Sequence, residues 1–353
     1  MRILGIETSC DDTSVALVET SGSGFVILAE KTASQIKVHE KYGGVVPEIA
    51  GRCHAENIVP VMAAVLANQP QPDVVASTAG PGLITGLLVG VEAAKVFSFL
   101  HQIPLIRVNH LEGHFFSPLL GKNTLDYSYP VLALIASGGH TELILAREPG
   151  SYEKIGYTKD DAAGECFDKA AKLLGLPYPG GPQISQLARA GRPDTISLPR
   201  PLIQSPNYDF SFAGLKTAVR YWVRDNRKKM IDQRTLWGKY RQWLKPQSPT
   251  IADLCASLEQ AVVDVLTTKT IKAAAAFQPR TVILAGGVSA NDRLRQHLAA
   301  ELASRFPTIS FLCPQKKYAM DNAAMIAAAA HIHSLKNEFT PWEKIMVDPN
   351  WSL

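Results

Sequence analysis

The chain has 353 residues, of which 46% are hydrophobic and 19% are charged, and its formal net charge is +4. This balance excludes a mostly disordered chain, and the length exceeds what one compact core usually holds, so we expect two domains or lobes. The five cysteines are dispersed and form no Cys-x-x-Cys pair. They therefore argue against a disulfide framework or a thiolate zinc site and favour a reducing compartment.

The N-terminal region predicts a strand, a short polar turn and a second strand. An apolar run begins at Arg2, the turn is Thr8-Ser9-Cys10-Asp11-Asp12, and the second strand covers Ser14 to Val18. Asp11 and Asp12 are candidates for a general base, although acidic residues are equally common in turns because they form local hydrogen bonds.

Two apolar stretches, one at the N-terminus and one from Val74 to Leu100, lack the pattern of a membrane segment. Glu7 interrupts the first too early for a signal peptide, and the stretch from Val74 to Leu100 contains Pro81, Glu92 and Lys95. We expect a cytoplasmic protein with no membrane partner.

Two histidines follow the predicted strand Ile103 to Val108. His110 and His114 are four residues apart, so on a helix they point to the same side and can meet at one metal ion. The zinc-protease motif needs a glutamate directly after the first histidine, whereas Glu112 is two places after it. Two ligands do not complete a site, so a metal centre and a pair of structural histidines both remain open.

A second hairpin, Pro130 to Arg147, repeats the first with the turn Ser137-Gly138-Gly139-His140. Two strand, glycine loop and helix units also occur, one after Val74 and one after Thr281. Such loops either bind phosphate or are simple turns that need glycine. Together the repeats predict an α/β chain with two lobes and a nucleotide cleft, the actin-like or sugar-kinase-like ATPase architecture.

Basic and aromatic side chains alternate from residue 220 to residue 247. This segment contains nine Lys or Arg residues, and aromatic residues among them include Trp222, Trp237 and Trp243. Cations and aromatic rings in one segment suit nucleic-acid contact, through phosphate pairing and base stacking, or form an ordinary solvated surface.

Ten short motifs, in order and almost from end to end, resemble one known family. They include residues 5–13 (GIETSCDDT), 42–48 (YGGVVPE), 78–83 (TAGPGL), 110–114 (HLEGH), 137–141 (SGGHT), 160–169 (DDAAGECFDK), 178–182 (YPGGP), 209–216 (DFSFAGLK), 286–291 (GGVSAN) and 320–327 (MDNAAMIA). By these motifs the chain is identified as a member of the TsaD family of bacterial tRNA threonylcarbamoyltransferases.

The resemblance implies the two-lobed actin-like fold. We expect an N-lobe of residues 1–128 completed by a C-terminal helix, 323–353, and a C-lobe of residues 129–322. The implied activity transfers a threonylcarbamoyl group from threonylcarbamoyl-adenylate to N6 of adenosine 37, in tRNAs that read codons beginning with A, and releases AMP. The implied protein partners are a TsaB-like relative without the metal site and a TsaE-like ATPase.

The resemblance also implies site residues. His110, His114 and Asp321 would bind one divalent metal, with iron expected and zinc as the alternative. The adenylate would be bound by Ile135, Ala136, Ser137, Gly138, Gly139, Asp168, Gly181 and Asn291. The catalytic base is expected to be Asp11 or Asp12.

Two positions depart from the family pattern. Asp12 stands where glutamate is common, and Ser185 stands where many members have an aspartate that contacts the substrate. Three other functions compete with the transferase. They are a metalloendopeptidase, which the position of Glu112 disfavours, a non-catalytic scaffold, which the intact metal residues disfavour, and a small-molecule carbamoyltransferase or kinase of the same fold.

Overall fold

A computed structural model describes residues 1–21, 24–121, 127–226 and 249–353. The strands of the described residues are β1 (Arg2–Glu7), β2 (Asp12–Ser21), β3 (Gly24–Ser34), β4 (Val74–Gly80), β5 (Leu105–Asn109), β6 (Val131–Ala136), β7 (Thr141–Glu148), β8 (Ser151–Tyr157), β9 (Thr281–Ala285) and β10 (Ser310–Leu312). The α-helices there are α1 (Ile36–Glu40), α2 (Pro47–Leu66), α3 (Ile84–His101), α4 (His110–Phe116), α5 (Ala163–Leu174), α6 (Gly180–Ala188), α7 (Ala213–Asp225), α8 (Ile251–Phe277), α9 (Asp292–Arg305) and α10 (Ala323–Leu335).

The strands form two sheets of the same topology. The first has the order β3-β2-β1-β4-β5 and the second the order β10-β9-β6-β7-β8. In each sheet a three-stranded antiparallel meander is extended by two parallel strands. The duplicated hairpins predicted from the sequence are therefore confirmed, and the chain has the two-lobed α/β fold expected of an actin-like ATPase.

The central strands are buried on both faces, which explains their continuous apolar sequences. The side chains of β6 from Val131 to Ala136 are fully buried, and so are Ile3, Leu4 and Ile6 of β1. Parallel strands place the loops at their carboxyl ends along one edge of each sheet, where ligand sites of such folds lie.

Long helix α8 starts at a reciprocal cap, in which Thr250 Oγ1 accepts from the Asp253 N–H and Asp253 accepts from the Thr250 N–H.

Helix α10 packs against strands β1 and β2 of the first sheet and against helix α4, although it follows the second sheet in sequence. The division into an N-lobe of residues 1–128 plus the C-terminus and a C-lobe of residues 129–322 stays a prediction.

The expectation of a helix from 323 to 353 is wrong, because the helix ends at Leu335. Asn337 takes a left-handed conformation with φ +58°, and prolines follow at 341 and 349, so the helical hydrogen bonds cannot continue. The last residues instead form what we call the C-terminal strap, residues 345–353. The strap crosses the ends of β4 and β5, with the Asp348 N–H donating to Ala79 O at 2.7 Å.

Helix α3 is long and apolar enough to cross a membrane by length and composition, with a mean hydropathy of 1.4. This is weak evidence, because core helices of globular proteins meet the same criterion. One side of α3, with Leu87, Val91 and Ala94, is buried against β4 and α2.

Candidate active site

The predicted histidine pair lies on α4, which starts directly after β5. The Asn109 side chain caps this helix by accepting from the Leu111 N–H at 2.9 Å, and it donates to Trp351 O of the C-terminal strap at 3.1 Å. One asparagine therefore connects the helix of the two histidines to the strap.

Three predicted metal ligands come together in the fold. Asp321, just before α10, places Oδ1 at 3.5 Å from His110 Nε2 and 3.1 Å from His114 Nε2. One ligand atom from each of the three residues lies within 4.8 Å of the others. The two imidazoles and the carboxylate form a donor set that suits iron, zinc and other divalent metals, and it leaves coordination positions for substrate.

The surroundings of the three ligands also suit a cation. His114 is fully buried, its Nδ1 has no hydrogen-bond partner among the described residues, and its Nε2 faces the Asp321 carboxylate at 3.1 Å. A buried imidazole nitrogen that faces a carboxylate and a second imidazole is well placed to bind a cation held between them. The residues present therefore fit the expected ion.

A buried glutamate orients the first of these histidines. Glu7 Oε2 lies 3.0 Å from His110 Nδ1, and it also accepts from Thr78 Oγ1 at 2.6 Å. The other oxygen, Oε1, accepts from the Ser9 N–H at 2.6 Å. Because a carboxylate only accepts, the proton of a neutral His110 belongs on Nδ1, which leaves Nε2 free to bind a metal.

The electrostatics of the site favour positive charge. Burial disfavours the charged ring, but the carboxylates of Glu7 and Asp321 outweigh it and raise the pKa of His110 to about 9. Burial would likewise raise the pKa of the Asp321 carboxyl, but His110 and His114 hold it well below its usual range.

Glu112, between the two histidines, is directed away from the metal residues. Its Oε1 accepts from the Tyr152 hydroxyl at 2.7 Å, and its Oε2 contacts His333 Nε2 at 2.7 Å. Both oxygens are committed on the opposite side of α4, so Glu112 is not placed to act as the base of a metalloprotease.

A single cleft of about 1680 Å³ contains most of the predicted site. It is lined by the metal residues His110 and Asp321 and by the predicted residues Asp11, Ser137, Gly138, Gly139, Asp168, Gly181 and Asn291. The side chains of Ile135 and Ala136 are fully buried in β6, so only their backbone is available to a ligand.

The glycine turns leave room beside the metal residues. A Cβ added at Gly138, Gly139 or Gly181 would meet no atom within 4 Å. Asp168 Oδ1 accepts from the Gly180 N–H at 2.7 Å and so holds the second turn in place. Side-chain-free turns let backbone N–H groups approach an anionic ligand closely.

The two candidate bases have different surroundings. Asp11 lines the cleft, whereas Asp12 is the first residue of β2, pairs with Ser34 of β3, and is not among the described residues lining the cleft. Burial raises the pKa of both carboxyls, that of Asp12 to about 7. The geometry favours Asp11 for contact with substrate, and either role stays a prediction.

Sequence reasoning missed three polar residues of the site. Glu7 and His140 stand inside motifs that were recognised, and an acid ending an apolar strand was a usable signal for Glu7. His140 lines the cleft, and burial together with His110 and His114 lowers its pKa to about 4, so its ring is neutral at pH 7. Glu259 on α8 also lines the cleft, and its helical context gave no signal.

The basic and aromatic segment is described only in part. Residues 220–225 form the end of α7, where the guanidinium of Arg224 lies 4.9 Å from the ring centroid of exposed Tyr221. Arg224 also pairs with Asp225 at 2.8 Å. The remainder of the segment, 227–247, lies outside the described residues.

Comparisons with known proteins agree on one family. The family model described as "TsaD: tRNA N6-adenosine threonylcarbamoyltransferase" matches residues 26–328. A tRNA N6-adenosine threonylcarbamoyltransferase of Bacillus thuringiensis (strain Al Hakam) is 47% identical over 334 residues, covering 94% of this chain and 90% of the relative. The enzyme of the same name from Enterococcus faecalis is 42% identical over 344 residues, covering 96% of this chain and 92% of the relative.

Among solved structures, the crystal structure of full-length HypF in the phosphate- and nucleotide-bound form is similar, with a TM-score of 0.58 at 14% identity. The similarity covers 97% of this chain and 47% of HypF, so the chain spans about half the length of that protein. At this identity the likeness supports the fold alone.

Proposed function

The chain belongs to the TsaD family of tRNA N6-adenosine threonylcarbamoyltransferases, and we propose that it transfers a threonylcarbamoyl group from threonylcarbamoyl-adenylate to N6 of adenosine 37 of tRNA. The tRNAs are those that read codons beginning with A, and AMP is released. The observation that carries this proposal is that His110, Asp321 and the turn Ser137 to Gly139 line one cleft.

We propose that His110, His114 and Asp321 hold one divalent metal, with iron expected and zinc as the alternative. A metal held by these residues supplies Lewis-acid polarisation of the carbonyl under attack. The donor set and the burial of His114 beside the Asp321 carboxylate support a metal, and neither distinguishes the two ions.

The protein residues have separate tasks in the proposed transfer. N–H groups of the turn Ser137 to Gly139 bind the phosphate of the adenylate, and Asp168 accepts from a substrate hydroxyl. The N6 nitrogen forms a bond to the carbamoyl carbon, and the bond from that carbon to the phosphate oxygen breaks. Asp11 accepts the proton that N6 loses, while AMP leaves with the bonding electrons.

We propose that the enzyme works in the cytoplasm with a TsaB-like and a TsaE-like protein. An exposed apolar stripe on α3 supports a protein partner of this kind. Ile84, Leu88, Val96 and Leu100 are each well exposed, and at 3.6 residues per turn they spread over about 160°, which is one half of the helix surface.

The test is nucleoside analysis of tRNA after incubation with threonine, bicarbonate, ATP and the partner enzymes. Threonylcarbamoyladenosine is expected with the unmodified chain and not with its Asp321→Ala variant. Modification that proceeds equally when this chain is omitted would overturn the proposal.

A further inference from the structure

Glu259 is a carboxylate in the wall of the cleft, on helix α8. Its side chain is almost completely buried, with 6% exposed, and it lines the same cleft as the glycine turns. Burying an ionised carboxylate costs free energy unless it is paired or hydrogen-bonded, so we expect this glutamate to have a functional role.

The neighbouring Asn291 is already fully committed as a donor. Its Oδ1 accepts from the Leu294 N–H at 2.8 Å and caps α9. Its Nδ2 donates to Glu259 Oε1 at 2.6 Å and to Ser185 Oγ at 2.9 Å. An amide nitrogen has two hydrogens, so Asn291 has none left for a ligand and instead fixes the positions of Glu259 and Ser185.

Glu259 in contrast retains unused acceptor capacity. No ion pair among the described residues involves it, and its Oε2 makes no hydrogen bond to a described residue. An ionised carboxylate accepts at both oxygens, so most of its capacity remains for groups that enter the cleft.

Charge restricts which part of the substrate can lie there. Phosphate and the threonyl carboxylate are anionic, and an unpaired carboxylate repels both. The neutral donors of the substrate that lie away from these anions are the ribose hydroxyls and the exocyclic amine of the base. A carboxylate is well suited to ribose hydroxyls, as dinucleotide-binding folds demonstrate.

We propose that Glu259, held by Asn291, determines specificity by accepting hydrogen bonds from the nucleoside half of the adenylate, at the ribose hydroxyls or the base amine. This inference rests on the proposed function, which places an adenylate in the cleft. It assigns recognition to Glu259 and a positioning task to Asn291.

The experiment is calorimetric titration of the protein with three nucleotides. They are AMP, 2′,3′-dideoxy-AMP, which lacks the hydroxyls, and purine riboside 5′-monophosphate, which lacks the amine. The unmodified chain should bind one of the two analogues roughly tenfold more weakly than AMP, the loss expected for a hydrogen bond to a charged group. Loss with the dideoxy analogue assigns the ribose, and loss with the purine riboside assigns the base.

Glu259→Gln should bind AMP roughly tenfold more weakly and should lose most of the discrimination. The amide retains an acceptor for Asn291, so we expect the variant to fold. Glu301→Gln, which removes a partly exposed carboxylate that pairs with Arg305 on α9, is the matched control and should bind like the unmodified chain.

Equal binding of all three nucleotides by the unmodified chain would overturn the role of Glu259 and leave the proposed function standing, whatever the variants do. Discrimination that persists in a folded Glu259→Gln variant would also overturn it. Failure to bind any of the nucleotides would overturn the proposed function together with this inference.

Discussion

Glu7 Oε2 lies 3.0 Å from Nδ1 of His110, and Nε2 of the same ring faces Asp321 Oδ1 at 3.5 Å. Glu7 ends β1 and His110 starts α4, so their contact joins the central strand of the first sheet to the helix that carries both histidines. Carboxylates behind metal-binding histidines fix the orientation of the ring and increase its basicity.

We therefore expect Glu7→Gln to weaken metal binding roughly 10- to 100-fold while the fold is retained. The measurement is competition of Fe²⁺ or Zn²⁺ binding against a chelator of known affinity. Glu48→Gln, at an exposed pair with Arg52, is the control and should bind metal normally. Unchanged affinity in Glu7→Gln would mean that Glu7 only packs against His110.

His110→Ala and Asp321→Ala should each remove bound metal and abolish transfer to tRNA. Each substitution leaves two protein ligands, which do not complete a site. Metal content by elemental analysis and tRNA modification are measured on the same preparations, with circular dichroism to verify folding. A variant that modifies tRNA normally would show that the metal assignment is wrong.

Asp12 should make stability depend on pH. Burial raises the pKa of its carboxyl from 3.8 to about 7, so the folded protein holds a proton that the unfolded chain releases. Its contribution to stability is fully present below 3.8 and is lost as pH rises to about 7. The Tm of Asp12→Asn minus the Tm of the unmodified chain should therefore increase as the pH is raised from about 4 to about 8. A Tm difference that stays constant over this range would contradict the prediction.

Gly80→Ala should destabilise the protein by about 1–3 kcal/mol, the usual cost of forcing extra volume into a packed site. A Cβ at Gly80 would overlap the carbonyl oxygen of Asp348, so the C-terminal strap would have to move. Urea unfolding measures the change. Gly138→Ala, where a Cβ meets no atom within 4 Å, is the control and should unfold like the unmodified chain.

Charge reversal at Lys228 and Lys229 should weaken tRNA binding and reduce its salt dependence. With fewer phosphate contacts, fewer counterions are released when the protein binds. These residues lie outside the described part of the chain, so the prediction rests on the sequence alone. Filter binding at several salt concentrations tests it. Equal affinity and an equal salt slope would place the tRNA surface elsewhere.

Local patterns predicted most of the secondary structure around the site. The two hairpins and the capping box at Thr250 and Asp253 depend on neighbouring residues, and all of them are present. The C-terminal helix was predicted too long, because its alanine-rich start says little about the left-handed Asn337 and the prolines beyond it. The roles of Glu7 and Glu259 were not predicted, since each depends on partners at least thirty residues away, such as His110 and Asn291.

The sequence by itself determined the duplicated α/β pattern, the histidine spacing on one helical turn and the family resemblance, because periodicity and motif order are properties of the chain alone. The tertiary structure shows Asp321 beside His110 and His114, as the resemblance implied, and it alone decided that Asp11 rather than Asp12 lines the cleft and that Asn291 is already committed. These depend on burial and on contacts between distant segments. No local pattern encodes which buried polar atom is left with a partner and which is left for a ligand.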